Sequence, residues 1–94
     1  MEREYQLVEK ESVADFRFPH EDVLIKESEI KLLKTQLDRA NALGNLEHHK
    51  VKVYFIDHEG KKMVHTTIWG ITDKSILLKK NVIVPIRRIV KLEI

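Results

Sequence analysis

The sequence predicts an α+β domain, one helix followed by a five-stranded, strongly bent antiparallel sheet or small barrel. Three observations predict it. Apolar residues recur at helical spacing only over residues 28–43. From His49 onward they alternate with polar residues in period 2. Val and Ile, whose stiff β-branched side chains suit strands, number 14 in residues 49–94 and 5 in residues 1–48. A chain of 94 residues, 43% hydrophobic and 34% charged, has the make-up of one small globular domain with a single core.

Residues 1–27 carry no sustained stripe and read as an N-terminal arm, partly extended or disordered, ahead of a helix-plus-barrel domain at 28–94. Phe16-Arg17-Phe18-Pro19 alternates like a short strand that Pro19 ends, and its aromatics would dock the arm over an open strand edge. In the helix, Ser28 is the expected N-cap, and Glu29 suits the positive end of the dipole. Ile30, Leu33, Leu37 and Ala40 make one apolar stripe, and Gly44-Asn45 reads as the stop. Leu32 and Leu43 fall on the opposite face, which asks for a second cover. Together with Phe16 and Phe18 they are the candidate self-association residues of a homo-oligomer or protein contact. The competing reading is two unrelated surface leucines.

Val51, Val53 and Phe55 alternate with Lys52, Tyr54 and Ile56 in a first strand. Asp57-His58-Glu59-Gly60 is a turn, with Asp bonding its own backbone and Gly supplying positive φ. Lys61 to Ile71 returns as one long strand that bends at Gly70. Thr72 to Ser75 turns the chain, Ile76 to Lys79 is a third strand, and Lys80-Asn81 a tight turn. Val82 to Pro85 is a fourth strand, and Val90, Leu92 and Ile94 mark a fifth. Five short strands would leave two open edges if flat, so bending toward closure is the expected solution.

Several function classes are disfavoured at once. No apolar run approaches the ~20 residues of a membrane span. Met1-Glu2-Arg3-Glu4 lacks the apolar stretch of a secretory signal, which leaves the cytoplasm as the expected location. With no cysteine, thiolate chemistry and sulfur-ligated metals are excluded. His48, His49, His58 and His65 occur in no HxH or HExxH spacing, so neither a metal nor another cofactor is expected. Glycines at 44, 60 and 70 stand too far apart for a phosphate loop, and no serine sits in a nucleophile elbow. Asp57 and Glu59 read as solvated turn carboxylates, and Trp69 as core filling. The chain reads as a non-enzyme.

Charge is the feature that points to a partner. Residues 1–47 sum to −4 and residues 48–94 to +6. An acidic half joined to a basic half is a hint of nucleic-acid binding, although the two halves can equally cancel each other.

The order of pieces resembles the Sm-like fold, the SH3-type barrel of Sm proteins and bacterial Hfq, over residues 28–94. Val51-Lys52-Val53-Tyr54-Phe55 with its Gly-containing turn is similar to the first Sm strand. Asp73-Lys74-Ser75-Ile76-Leu77-Leu78-Lys79 is similar to the turn and third strand of Hfq, one residue shorter. Ile86-Arg87-Arg88-Ile89 stands where Hfq has Tyr-Lys-His, so the chain departs from that signature at Ile86 and Arg88. The strings Leu37-Asp38-Arg39-Ala40, Thr66-Thr67-Ile68-Trp69 and Ile83 to Ile89 also resemble a family of small bacterial proteins, a likeness that brings no activity with it.

The Sm resemblance implies RNA as a partner, with Lys74/Ser75 and Arg87/Arg88 in the two loops lining the site. Lys79 and Lys80 would extend this basic rim, since guanidinium and ammonium groups bind phosphate and arginine stacks on bases. Lysines that merely keep turns and strand edges soluble are the competing reading. The sequence therefore predicts a non-catalytic binding module, for RNA through those six residues or for protein through the helix and arm.

Overall fold

The computed structural model describes residues 5–79 and 82–94, with the Lys79 side chain left aside. The elements run β1 (Gln6–Val8), α1 (Lys10–Val13), α2 (Glu27–Glu47), β2 (Lys50–Ile56), β3 (Lys61–Thr67), β4 (Gly70–Ile71), β5 (Ser75–Lys79), β6 (Val82–Pro85) and β7 (Ile89–Glu93). A 3-10 turn at Ile86–Arg88 joins β6 to β7. The α+β class and the single long helix stand. Among the described residues there are seven strands rather than five, in two sheets rather than a closed barrel. One sheet has the order β1-β3-β2-β7 and the other β4-β5-β6.

The two extra strands have separate causes. The long strand expected from Lys61 to Ile71 breaks at Ile68-Trp69, where Ile68 turns fully inward, and β4 resumes in the second sheet. The other addition comes from the arm. β1 pairs with β3 in parallel, Gln6 opposite Lys62 and Val8 opposite Val64, so the first sheet is mixed rather than antiparallel. It lies along an edge of β3 that would otherwise offer unpaired backbone groups.

Helix α2 is longer than its sequence pattern suggests. It begins after Lys26, not Ser28, and continues to Glu47, where His48 ends it in the left-handed region at φ 55. Gly44 is therefore an interior residue with a packing role. A Cβ there would collide with the carbonyl oxygen of Ile68, so glycine lets the helix lie directly on the β3–β4 break. The buried stripe is Leu33, Leu37, Ala40 and Gly44, while Ile30 is half-exposed.

The core gathers Val51, Val53, Phe55, Val64, Ile68, Ile76, Leu78, Val84 and Ile89 from both sheets beneath that stripe. The arm belongs to the same packed unit. Val13 is 1% exposed, and the rings of Phe16 and Phe18 lie 6.2 and 5.9 Å from that of Phe55.

Candidate functional site

The two turns marked as basic meet in space. In the first, the Thr72 hydroxyl accepts from the backbone N–H groups of Lys74 at 3.3 Å and Ser75 at 2.9 Å. In the second, Ile86 N–H donates to the Lys74 carbonyl at 2.9 Å. Pairing of β5 with β6 sets Ser75 opposite Pro85 and fixes the two turns as neighbours.

A cleft of about 520 Å³ opens beside them, closed on its other sides by the arm and the first turns of α2. Its floor is apolar, from Leu24, Ile30, Leu33, Ile86 and Ile89. Its rim carries His20, Asp22, Asp73, Lys74 and Arg87. No salt bridge joins any two of Asp22, Asp73, Lys74 and Arg87 among the described residues.

The adjacent arginines have different jobs. Arg88 is 8% exposed, and it donates from Nε to the Ile56 carbonyl (2.8 Å) and from Nη1 to the Glu21 carbonyl (2.7 Å). It clamps the arm to β2 and is no part of a surface rim. Arg87 is half-buried. Its Nε donates to the Pro19 carbonyl at 3.1 Å, which aims the guanidinium while its two amino groups make no hydrogen bond among the described residues. Ser75 is half-buried and Lys74 exposed. Lys79 is described by its backbone, as the last residue of β5, and Lys80 lies outside the described residues.

The candidate self-association residues also separate. Phe16 and Phe18 pack on Phe55 of their own chain. Leu43 is half-buried at the flank of α2, whereas Leu32 is 60% exposed. Leu46 and Trp69 are among the exposed apolar residues that escaped the sequence reading, with Leu7, Ile25 and Ile83. Leu46 is 80% exposed on a final helical turn that Gly44-Asn45 had hidden. Trp69, expected in the core, is 55% exposed beside His48, their rings 5.7 Å apart. The strand break turns Ile68 inward and leaves its neighbour outside.

Asp57 is the other correction. Instead of a solvated turn carboxylate it is 2% exposed and bonded to Lys62 Nζ at 3.0 and 3.1 Å, with that ammonium 4.8 Å from the centre of the Phe16 ring. Its Oδ1 also accepts from the backbone N–H of Glu59 and Gly60, at 2.9 and 3.0 Å. Burial alone would raise its pKa. The hydrogen bonds from Lys62, Glu59 and Gly60, with the Lys62 charge, outweigh that and hold the carboxyl below its usual 3.8. A signal for this pair was present: Lys62 shares the period of the buried Val64 and Thr66, and a lysine on a core face requires an acid.

Comparison with protein-family models, curated proteins and solved structures found no match. Among the described residues, no group of three or more His, Asp or Glu side chains is placed to hold a metal ion. No helix there is long and apolar enough to cross a membrane.

Proposed function

We propose that this chain is a non-catalytic binding module whose partner is a protein. The supporting observation is which side chains the fold spends and which it leaves out. Arg88 and Lys62 lie inside hydrogen-bonded or ion-paired contacts, so the basic half offers fewer free cations than its composition suggests. Leu32, Leu46 and Trp69 stand 60%, 80% and 55% exposed, the first two on one side of α2 and the last beside its C-terminal end. Large apolar side chains, above all tryptophan, are the usual anchors of protein interfaces.

The test is the double variant Leu32→Glu/Leu46→Glu together with Trp69→Ala. Light scattering and affinity capture are run on wild type and variants, with amide spectra as the check on folding. Loss of self-association, or of a captured partner, in folded variants is the expected result. Mass and captured proteins that do not change would defeat the proposal.

One observation favours a second reading, RNA binding. Lys74, Ser75 and Arg87 fall together at neighbouring turns, the two loops that the Sm resemblance assigns to an RNA site. Under that reading Lys74→Ala/Arg87→Ala weakens single-stranded RNA binding, measured by anisotropy, and lowers its salt slope by about two phosphate contacts. RNA affinity equal in wild type and variant would remove it.

A further inference from the structure

The cleft between the arm, α2 and the two turns carries an inference independent of the protein-partner reading. Its volume of about 520 Å³ falls within the range of small-molecule sites, roughly 300–1,000 Å³. The floor of Leu24, Leu33, Ile86 and Ile89 offers an apolar body something to bury against. The rim is unusual in its bookkeeping. It presents two cations, Lys74 and Arg87, and two carboxylates, Asp22 and Asp73, none joined to another in an ion pair.

Four charges of both signs around an apolar floor, unpaired among the described residues, do not suit a plain anion. A fatty acid or nucleotide phosphate would be drawn to Lys74 and Arg87 but repelled by Asp22 and Asp73. They do not suit a plain cation for the reverse reason. A ligand carrying one charge of each sign satisfies both. Arg87 is the best-prepared member: Pro19 holds its Nε, and the amino groups left over form the flat donor edge that a carboxylate meets with two hydrogen bonds.

We propose that this cleft binds a small zwitterion with an apolar body, of the size of an apolar dipeptide. Its carboxylate is held by Arg87 with Lys74, its ammonium by Asp22 or Asp73, and its side chains rest on Leu24, Leu33 and Ile86. The ligand enters as a binding partner, and no bond is made or broken.

The probe is the dipeptide leucyl-leucine, followed by amide chemical shifts on the isotope-labelled full chain. Saturable shifts confined to residues 20–24, 30–33, 73–74 and 86–89 are the expected result. N-acetyl-leucyl-leucine, which lacks the ammonium, and leucyl-leucinamide, which lacks the carboxylate, are each expected to bind about tenfold more weakly, the value of one charge-assisted hydrogen bond. The exposed double variant Asp22→Asn/Asp73→Asn should erase the preference over the acetylated analogue. Arg87→Gln should erase the preference over the amide, and Lys74→Gln, which leaves the Pro19 contact intact, repeats that arm if Arg87→Gln loosens the fold. Three results would overturn the proposal: no saturable shift at 10 mM dipeptide (on the order of the weakest useful affinity), equal binding of all three compounds, or shifts scattered away from the cleft.

Discussion

Asp57 shows how much one side chain can decide. It closes its own turn through two backbone N–H groups and neutralises a lysine that the strand alternation points into the core. Replacing it by asparagine keeps the turn acceptor but leaves the buried Lys62 ammonium with only the exposed Glu59 carboxylate, at 3.4 Å, as a charge partner. Removing one partner of a buried pair typically costs about 3–5 kcal/mol, so Asp57→Asn should lower the denaturant midpoint sharply. Asp57→Asn combined with Lys62→Met should recover part of that loss, because the poorly compensated buried charge goes too. The acid limb follows from the same pair. The folded carboxyl ionises below 3.8, lower than in the unfolded chain, so its contribution is complete above that value. It is lost as the pH falls from there through the folded pKa. Urea unfolding from pH 6 down to pH 2, or roughly that span, should therefore show a loss of stability on acidification that is smaller in the double variant.

At the scale of elements, α2 is the most instructive. Its apolar period was plain over residues 28–43, but glycine and asparagine at 44 and 45 read as an ending. Helix propensity is a weak local preference, and here a tertiary contact outweighs it. The carbonyl of Ile68 comes so near the helix axis that only a residue without a Cβ fits. In an ordinary helix interior, glycine to alanine is stabilising by about 1 kcal/mol. Gly44→Ala is expected to do the opposite, with a lower melting temperature and shifted amides at Ile68 and Trp69. Asn45→Ala, one residue further on and exposed, should be neutral or raise stability by a few tenths of a kcal/mol. A Gly44→Ala chain as stable as wild type would mean that the close approach is not a real constraint.

For the whole molecule, the arm is the element that closes the structure. Its residues pair with β3, cover Phe55 and accept from both arginines of the last turn. Hydrogen bonds from charged donors are each worth about 1.5–3 kcal/mol, and Arg88 makes two to backbone carbonyls. Arg88→Met keeps the aliphatic stem and removes both. Amide exchange and limited proteolysis should then quicken over residues 16–23 while the core strands stay protected. Uniform loss of protection across all strands would instead mean that arm and sheets unfold as one unit. The arm also walls the cleft through His20, Asp22 and Leu24, so the same variant should weaken any ligand held there.

What the sequence determined by itself was local. The helical stripe of Leu33, Leu37 and Ala40, the alternation of Val51, Val53 and Phe55, and the Asp57-to-Gly60 turn all come from neighbours a few residues apart. Their geometry is written in the backbone period. Only the tertiary structure decided which polar groups were free. Arg88 reads as a surface cation until the carbonyls of Ile56 and of Glu21, the latter 67 positions away, accept from its guanidinium, and Trp69 reads as core until the strand breaks beside it. The same holds for the parallel partner of β3 and for the charges that ring the cleft. A pairing between distant segments is chosen by the burial and hydrogen bonding of the entire fold, and no short pattern in the chain encodes that choice.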